Sequence, residues 1–286
     1  MDLSIIMVSW NVKEFVAENI KSVLANAGNI EFEIFVVDND SSDGTAEMIK
    51  KDFSQVRLIA NDYNAGFAKA NNQAIAQAKG RYILLLNPDM RVLPGCLEKM
   101  VKWMDCHADA GVAGCHLVKE NRETVSHVRR YPRLSDQLAI VLKLPHLFPG
   151  ILDGYLRKDF DYSKEAEVDS IRGSFFMIRR EVIEKIGGLD ERYFVWFEEV
   201  DYCRQAKNAG WKVMYTPVAD CVDYVGRSFA LIKRGKSQQY FRGSMLKYFK
   251  KWHAYWQYLI LKTAWPIGIF MASIGEKLNY KNKAKT

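Results

Sequence analysis

The sequence lacks the cysteine pattern of a disulfide-stabilised or zinc-binding protein. Its 286 residues include five cysteines, an odd number, and no two of them are spaced as C-x-x-C. A chain of this length, with 49% apolar residues, buries a core large enough to fold without disulfides or a structural metal. We therefore expect one main domain with an appendage, in a reducing compartment such as the cytoplasm.

A glycine-rich phosphate loop is also missing near the start of the chain. The first apolar run, Leu3 to Ser9, continues as Ser9-Trp-Asn-Val12, whereas a dinucleotide-binding fold has G-x-G-x-x-G at this point. NAD is therefore disfavoured as a ligand. The N-terminus also lacks the basic leader and the cleavage site of a signal peptide, so we expect that the protein is not exported.

Acidic residues are almost absent from the C-terminal fifth of the chain. Phe229 to Thr286 contains 12 Lys or Arg and one acid, Glu276, whereas residues 1–228 contain 29 basic and 33 acidic residues and carry a net charge of −4. From Tyr240 to Trp256 the cations alternate with large aromatic residues at helical spacing. This pattern is typical of amphipathic helices at membrane interfaces. Packing on the main domain or on a partner subunit is the alternative.

Long hydrophobic runs are lacking too. Thr263 to Gly275 is uncharged over 13 residues, but it contains Pro266 and Gly268, and a helical span needs about 20 residues. Extending the run back to Tyr255 includes Lys262. We expect peripheral attachment to the inner leaflet, and a single span is the alternative. Nucleic acid is not an expected partner, since no recognised binding module is visible.

Strands and helices are predicted to alternate along the first hundred residues. The predicted strands are Leu3 to Ser9, Ile34 to Val37, Val56 to Ile59 and Tyr82 to Leu86, and the predicted helices are Val12 to Leu24, Thr45 to Lys51, Phe67 to Ala78 and Cys96 to Met104. This alternation indicates an α/β fold with parallel strands and helices on both faces. From Lys119 to Glu167 the pattern weakens, as in a variable loop region.

Acidic residues follow three apolar runs, at Val36 to Thr45, Leu84 to Asp89 and Phe197 to Asp201. Asp38 follows the second predicted strand and Asp89 the fourth. Parallel sheets bind ligands beyond the carboxyl ends of their strands, so both residues are expected at the ligand-binding edge. The residues after Asp38 also have the composition of a turn that caps a helix, and a purely structural role stays open.

The segment Asn64 to Asn72 is predicted to open a helix. Gly66 permits close approach of another backbone, and helix N-termini attract anions. These features suit a phosphate-containing ligand. Alternatively, Asn64 caps the helix and Asn72 faces solvent.

Three acids stand together near a predicted helix start. If the helix begins near Glu198, then Glu198 and Asp201 share a face, while Glu199 points about 100° away. A carboxylate at such a position suits a general base. The alternative is that acids favour a first helical turn because of the helix dipole.

Together with Asn64-Ala-Gly-Phe67 and Gly173-Ser-Phe-Phe-Met-Ile-Arg-Arg180, these stretches resemble family 2 glycosyltransferases, especially the rhamnosyltransferase-like branch, from about Leu3 to Ser228. The resemblance implies a GT-A catalytic domain over residues 1–228, a Rossmann-like, mostly parallel sheet flanked by helices. Residues 229–286 are then a C-terminal basic aromatic helical extension that associates with the membrane. The implied activity is inverting transfer of a sugar from dTDP-rhamnose or a UDP-sugar to a lipid-linked saccharide, in cell-surface polysaccharide biosynthesis.

The resemblance also implies roles for individual residues. The nucleotide-binding set is Ser9, Asn11, Asp38, Asn64, Gly66, Phe67, Asn72 and Asn87; Asp89 and Asp223 are metal ligands for Mg²⁺ or Mn²⁺; and the catalytic set is Glu199 as base, with Glu198 and Asp201. The sequence departs from the family at three of these positions. Asn87 replaces an acid of the metal motif, Asp223 stands where relatives usually carry a His, and Glu199 replaces an Asp.

These three departures support an alternative from another class of function. In it, the chain is a non-catalytic nucleotide- or glycan-binding partner of a membrane polysaccharide assembly complex. Turnover of a donor would distinguish the two. A sugar nucleotidyltransferase is a weaker alternative, because its glycine-rich phosphate loop is missing. Whether the chain is a glycosyltransferase or a non-catalytic partner, we expect a cytoplasmic protein on the inner face of the cell membrane.

Overall fold

The structure, a computed structural model, describes residues 1–224 and 234–266. The strands are β1 (Leu3–Ser9), β2 (Phe32–Asn39), β3 (Val56–Asn61), β4 (Tyr82–Leu86), β5 (Met90–Val92), β6 (Ala110–Val118), β7 (Ala166–Glu167), β8 (Phe175–Arg179) and β9 (Lys212–Asp223). The helices are α1 (Lys13–Asn26), α2 (Thr45–Asp52), α3 (Phe67–Ile75), α4 (Cys96–Cys106), α5 (Leu134–Val141), α6 (Asp153–Leu156), α7 (Arg180–Ile186), α8 (Glu198–Asn208) and α9 (Arg234–Trp252). A 3-10 turn covers Leu144–His146, and residues 255–266 are helical and are called α10.

One sheet forms the centre of the molecule, in the order β3-β2-β1-β4-β8-β6-β9-β5, with β7 paired to β9. The pairs among β1, β2, β3 and β4 are parallel, as predicted, and helices connect them. Parallel pairing requires such crossovers. In the second half, β8 is antiparallel to β4 and β6, and β5 and β7 are antiparallel to β9. The sheet is therefore mixed, and its parallel part carries the predicted ligand-binding edge.

Several predicted bounds are reproduced by the structure. The strands β1 and β4 have the predicted ends, and α2, α3 and α8 begin at the predicted residues. The strand β2 is longer than its β-branched run, because pairing continues through Asp38 opposite Ala60 and Asn39 opposite Asn61. Two polar residues thus end a buried strand at the edge of the sheet.

Apolar side chains cover both faces of the sheet. Alternate residues of a strand point to opposite faces, so Ile5 and Met7 of β1 join the cluster that contains the buried faces of α1 and α4. Ile6 joins the other cluster, with residues of α3 and α8. The five residues of β4 are all buried, which confirms the prediction of a strand enclosed on both sides.

A third apolar cluster attaches the C-terminal segment to this domain. It joins Tyr193 and Phe197 to Tyr248 and Phe249 of α9 and to Leu261 of α10. The basic aromatic segment therefore packs on the main domain, which was the alternative to a purely membrane-bound extension. The predicted boundary at residues 228 and 229 lies outside the described residues, as does most of the uncharged run from Thr263 to Gly275. Within the part of the chain that is described, no helix has the length and apolarity needed to cross a bilayer.

Candidate active site

A cleft opens at the carboxyl ends of β1, β2 and β4. It encloses about 560 Å³, part of it open to solvent. The strand order changes direction between β1 and β4, and open α/β sheets bind ligands at such a point. The lining residues are Val8, Ser9, Trp10, Val12, Asn39, Asn64, Gly66, Phe67, Asn87, Pro88, Phe194 and Val195. The cleft thus brings together Ser9, Asn64, Gly66, Phe67 and Asn87 of the predicted nucleotide-binding set.

Ser9 and Asp38 face each other across β1 and β2. They are register partners, and both side chains are buried. Asp38 Oδ2 accepts a hydrogen bond of 3.1 Å from the Ser41 amide, whereas Asp38 Oδ1 and Ser9 Oγ have no hydrogen-bond partner among the described residues. Burial raises the pKa of Asp38. Buried polar atoms are nearly always satisfied, so this acceptor and this hydroxyl are suited to a polar ligand.

Asn11 supports the turn that follows Asp38. Its Oδ1 accepts a hydrogen bond of 2.7 Å from the Ser42 amide, and its own amide donates to Ser41 Oγ at 2.9 Å. The backbone of Asn11 is left-handed, with φ of 54°, a conformation that Asn tolerates better than most residues. The side chain therefore orders the β2–α2 turn and does not line the cleft.

The segment before α3 is shaped by a close backbone contact. Asn64 Oδ1 accepts a hydrogen bond from the Gly66 amide at 3.0 Å, and the Phe67 amide donates to the Phe194 carbonyl at 2.6 Å. A Cβ atom on Gly66 would lie 2.5 Å from that same carbonyl oxygen, and Gly66 has φ of 80°. Glycine is therefore required here. The contact also brings Phe194 into the lining of the cleft.

Asn72 connects α3 to the chain before α8. Its Nδ2 donates to the Leu189 carbonyl at 2.8 Å and to Glu191 Oε1 at 3.0 Å, and its Oδ1 accepts from the Leu189 amide at 2.9 Å. These bonds use both ends of the amide group. Asn72 is not among the residues that line the cleft, and its side chain links α3 to the segment before α8.

A polar stripe on α1 holds the loop that contains Asn87 and Asp89. Asn19 Nδ2 donates to the Asn87 carbonyl at 2.7 Å, Ser22 Oγ accepts from the Val92 amide at 3.0 Å, and Asn26 Nδ2 donates to the Val92 carbonyl at 3.1 Å. Positions separated by three or four residues share a helix face. Sequence reasoning did not single out this stripe, although polar residues on an otherwise apolar helix face are a visible signal.

Of the two predicted metal ligands, Asp89 lies directly before β5 and Asp223 lies at the end of the neighbouring strand β9. Asp89 immediately precedes β5, whose first residue, Met90, pairs with Asp223. The Tyr224 amide also donates to the Asp89 carbonyl at 3.2 Å. Both carboxylates are buried, with exposures of 2% and 4%. The fold therefore brings together two acids that are 134 positions apart in the sequence.

The donor atoms of this pair suit a hard divalent cation. Mg²⁺ and similar ions prefer oxygen ligands and often bind one or two carboxylates, with water and substrate phosphate completing the shell. Asp223 Oδ2 also contacts Ser174 Oγ at 3.2 Å and Arg172 Nη1 at 3.3 Å. No cluster of three or more His, Cys, Asp or Glu side chains suited to a metal occurs in residues 1–224 and 234–266. A cation held by Asp89 and Asp223 therefore needs ligand oxygens from a substrate or from water.

Glu198 and Glu199 begin α8 behind a strained turn. Trp196 and Phe197 have φ values of 64° and 71°, which are rare for bulky residues. Each glutamate has an Oε2 atom that is buried and lacks a hydrogen-bond partner within the described chain. Burial raises the pKa of both carboxyl groups; the charge of Glu199 raises that of Glu198 further, while Arg172 partly offsets the rise at Glu199.

The segment of residues 172–174 places Glu199 beside the cleft. A Cβ atom on Gly173 would lie 3.6 Å from Glu199 Cβ and 3.9 Å from Phe67 Cε1. The next residue, Ser174, accepts a hydrogen bond of 2.9 Å from the Asn87 amide through its carbonyl. The candidate base, the loop of Asn87 and the helix start at Phe67 therefore meet around one short segment. Arg172, which contacts Asp223, is the residue of this group that sequence reasoning missed; its only signal is its place directly before Gly173.

The surroundings of Asp201 indicate a structural role. Its side chain is fully buried, and its carboxylate accepts hydrogen bonds from Lys251 Nζ at 2.7 Å, Trp252 Nε1 at 2.5 Å, Gln205 Nε2 at 2.8 Å and Tyr193 Oη at 3.3 Å. Two of these donors belong to α9. Asp201 therefore ties α8 to the C-terminal segment, and both of its carboxylate oxygens accept hydrogen bonds, whereas Glu199 Oε2 has no partner among the described residues.

The family model described as glycosyl transferase family 2 matches residues 4–187. Two curated proteins are similar over most of the chain. One is an N-acetylglucosaminyl-diphospho-decaprenol L-rhamnosyltransferase of Mycobacterium tuberculosis, 25% identical over 206 residues, which are 68% of this chain and 67% of that protein. The other is rhamnosyltransferase WbbL of Escherichia coli, 28% identical over 240 residues, which are 79% and 85% of the two chains.

Solved glycosyltransferase structures share the fold. The mannosyltransferase PcManGT of Pyrobaculum calidifontis, determined in complex with GDP-Man and Mn²⁺, superposes with a TM-score of 0.57 and 16% sequence identity. The alignment covers 96% of this chain and 75% of that one. At this identity the similarity concerns the fold alone, and it confirms the predicted GT-A architecture.

Proposed function

The chain belongs to glycosyl transferase family 2, and we propose that it transfers a sugar from a nucleoside diphosphate donor to a hydroxyl group of a lipid-linked saccharide. The rhamnosyltransferase-like character predicted from the sequence is confirmed by the two curated relatives. Their names support rhamnose as the sugar, with dTDP-rhamnose as the donor and a UDP-sugar as the second choice. The name of the mycobacterial protein supports a polyprenyl diphosphate saccharide as the acceptor, in cell-surface polysaccharide synthesis.

In this proposal the nucleoside binds at Ser9 and Asp38. The thymine or uracil ring carries an N–H donor beside carbonyl acceptors, and Asp38 Oδ1 and the Ser9 hydroxyl supply the complementary acceptor and donor. Phe67 and Phe194 provide apolar walls, and Gly66 lets the ligand approach the start of α3. The pyrimidine preference rests on this pair of buried polar atoms.

Asp89 and Asp223 would hold Mg²⁺ or Mn²⁺ near the donor diphosphate. A divalent cation in this position neutralises charge on the leaving diphosphate. The two carboxylates bring negative charge to the loop, and the Arg172 guanidinium, 3.3 Å from Asp223, adds a fixed positive charge on the same side. Asn87 lies in the cleft next to them and would contact the donor without adding charge.

Glu199 would act as the base. The observation that carries the proposal is its carboxylate oxygen Oε2, which is buried and has no partner among the described residues, on a residue that lies against Gly173 as the cleft residue Phe67 does. The acceptor hydroxyl gives its proton to Glu199 while its oxygen bonds to the anomeric carbon. The bond from that carbon to the diphosphate breaks on the opposite face, so the configuration inverts. Burial raises the pKa of the Glu199 carboxyl group, and a general base is most effective when its pKa lies near the operating pH. We place the reaction at the cytoplasmic face of the membrane, with the protein bound peripherally.

The test is transfer by the purified protein, measured by mass spectrometry of a polyprenyl diphosphate N-acetylglucosamine acceptor incubated with dTDP-rhamnose or UDP-sugars and Mn²⁺. Glu199→Gln keeps the size of the side chain and removes its basicity, so we expect transfer to fall by about 10²-fold or more with donor binding retained. Glu181→Gln, an exposed glutamate of α7, is the control and should transfer normally. Normal transfer by Glu199→Gln would reject the base assignment. Lack of transfer by the unmodified chain with every donor would favour the non-catalytic partner.

A further inference from the structure

Exposed apolar side chains are concentrated in two segments of the chain. Eleven large apolar residues are exposed within residues 1–224 and 234–266, and seven of them lie in the α5–α6 connection or in α10. These seven are Leu147, Phe148, Ile151, Tyr255, Trp256, Leu259 and Ile260. We propose that the two segments form a docking surface for an anionic lipid bilayer.

The helix α10 has two distinct apolar faces. Leu261, Ala264 and Trp265 are buried in the third cluster, with exposures of 8% or less. The opposite face carries Tyr255, Trp256, Leu259 and Ile260, with exposures between 38% and 61%. Their spacing of one, three and four residues keeps them on one side of the helix. A soluble surface rarely concentrates apolar area in this way, whereas aromatic residues are favoured at headgroup depth.

The charge around this face selects lipid as the occupant. Residues 234–266 contain seven Lys or Arg and no Asp or Glu, and Lys262 lies within α10 itself. A second copy of the chain would bring the same positive charge to the contact and be repelled. Anionic headgroups attract it, at about 1 kcal/mol for each Lys or Arg near the surface.

The second segment starts from the apolar cluster on which α10 packs. The helix α5 ends at Val141, which packs in the cluster that also contains Leu261 and Trp265. The connection from α5 to α6 continues from there to Leu147, Phe148 and Ile151. Leu147 is 68% exposed and Phe148 59%. Both segments are therefore connected to the third apolar cluster and expose apolar side chains to solvent.

We relate this surface to the candidate active site, and this part of the inference rests on the proposed function. Tyr193, Phe197 and Val200, which flank Glu198 and Glu199 in sequence, pack in the same cluster as Leu261 of α10. A bilayer bound at the exposed face of α10 is thus separated from the segment that carries the two carboxylates by α10 itself and by this cluster. A lipid-linked acceptor would reach Glu199 while its polyprenyl chain remains in the membrane.

The test is flotation of the full-length protein with vesicles of phosphatidylcholine alone and of phosphatidylcholine mixed with phosphatidylglycerol, without donor or acceptor. We expect recovery mainly with the anionic vesicles and a loss at high salt. The double variant Trp256→Ser, Leu259→Ser should bind at least about tenfold more weakly, because two interfacial side chains are removed. Leu24→Ser on α1, with an exposure of 37% against 41% for Leu259, is the matched control and should bind like the unmodified protein.

Two results would overturn the proposal. One is equal flotation of the double variant and the unmodified protein. The other is absence of vesicle binding together with a dimer, in light scattering, that the double variant abolishes; the face would then bind a second copy. The substituted side chains are exposed, so folding should be preserved, and a circular dichroism melt checks this. The flotation test does not measure sugar transfer. A negative flotation result therefore does not contradict the proposed reaction, and a negative transfer result does not contradict the proposed lipid-docking surface.

Discussion

At the scale of single residues, Glu198 and Glu199 are neighbours with different surroundings. Glu198 is 4% exposed, and burial together with the charges of Glu199 and Asp201 raises the pKa of its carboxyl group well above the ordinary value. Burial also raises the pKa of Glu199, and the positive charge of Arg172 opposes this rise. Two carboxyl groups whose environments differ in this way favour one protonated and one ionised partner. We assign the more strongly raised pKa, and with it the neutral form, to Glu198.

This assignment predicts how Glu198→Gln changes stability with pH. In the unfolded chain Glu198 ionises near its ordinary pKa, about 4.3, and in the folded protein only at a higher pH. Its destabilising effect is therefore absent below the ordinary pKa, grows as the pH rises towards the folded pKa, and is constant above it. Glu198→Gln removes the effect, so we expect it to raise the free energy of unfolding by about 1 kcal/mol or more at about pH 8 and by little at about pH 4.

Urea unfolding at the two pH values measures the difference, with the exposed Glu184→Gln of α7 as the control that should change neither. Equal effects of Glu198→Gln at both pH values would contradict a neutral Glu198.

Gly66 is the residue of the cleft least able to accept a side chain. Gly66→Ala forces a Cβ atom to within 2.5 Å of the Phe194 carbonyl, from a backbone with φ of 80°. The 193–197 segment must then move away from α3, so we expect lower stability and at least about tenfold weaker nucleotide binding. Gly210→Ala shares the positive φ, at 92°, but its Cβ atom meets nothing within 4 Å. Calorimetric titration with UDP or dTDP measures both variants, and similar affinities would show that the contact at Phe194 is unimportant.

At the scale of elements, α9 is held to α8 by charge as well as by apolar contact. Lys251 Nζ lies 2.7 Å from Asp201 Oδ2 and 3.0 Å from Asp190 Oδ2, and Ser244 Oγ donates to the Val195 carbonyl at 2.8 Å. These bonds reach both the turn before α8 and its first two turns. The C-terminal segment therefore supports the helix that carries the candidate base.

Lys251→Met should remove this support. It leaves the fully buried Asp201 without its cation, and breaking a buried pair typically costs 3–5 kcal/mol; because Lys251 retains 22% exposure, we expect about 2 kcal/mol or more. Lys250→Met replaces the adjacent, exposed lysine and should change stability by less than about 0.5 kcal/mol. Thermal and urea unfolding compare the two. If both variants unfold like the unmodified protein, the ion pair does not hold α9 in place.

At the scale of the whole molecule, the cleft joins parts of the chain that are distant in sequence. Its lining comes from the ends of β1 and β4, from the start of α3 and from the turn before α8. A ligand that binds all of them stabilises the folded protein as a unit. Stabilisation by nucleotides is therefore a direct readout of the site.

We expect UDP or dTDP with Mn²⁺ to raise the melting temperature, and GDP and NAD to have little effect. At a concentration of about 100 times the dissociation constant the stabilisation is about 2.7 kcal/mol. Asp89→Asn should abolish the dependence on Mn²⁺, whereas Asp38→Asn should weaken the preference for pyrimidine nucleotides. Differential scanning fluorimetry compares these cases, and an absence of any shift would favour a non-catalytic protein.

The local architecture and much of the cleft could be predicted from the sequence alone. The bounds of β1 and β4, the starts of α2, α3 and α8, and the convergence of Ser9, Asn64, Gly66, Phe67 and Asn87 followed from apolar periodicity, turn residues and family resemblance. Local patterns suffice for such features because strands and helices bury faces set by the nearest neighbours in sequence.

The contacts made by Asn72, Asp201 and Arg172 depend on the tertiary fold and could not be predicted from local sequence. Their partners lie 117, 50 and 51 residues away, at Leu189, Lys251 and Asp223. Asp201, whose carboxylate is paired with the distant Lys251, and Glu199, the candidate base, lie in the same local sequence pattern. Their difference is created when α9 packs against α8, since burial, charge pairing and pKa depend on what the fold brings near.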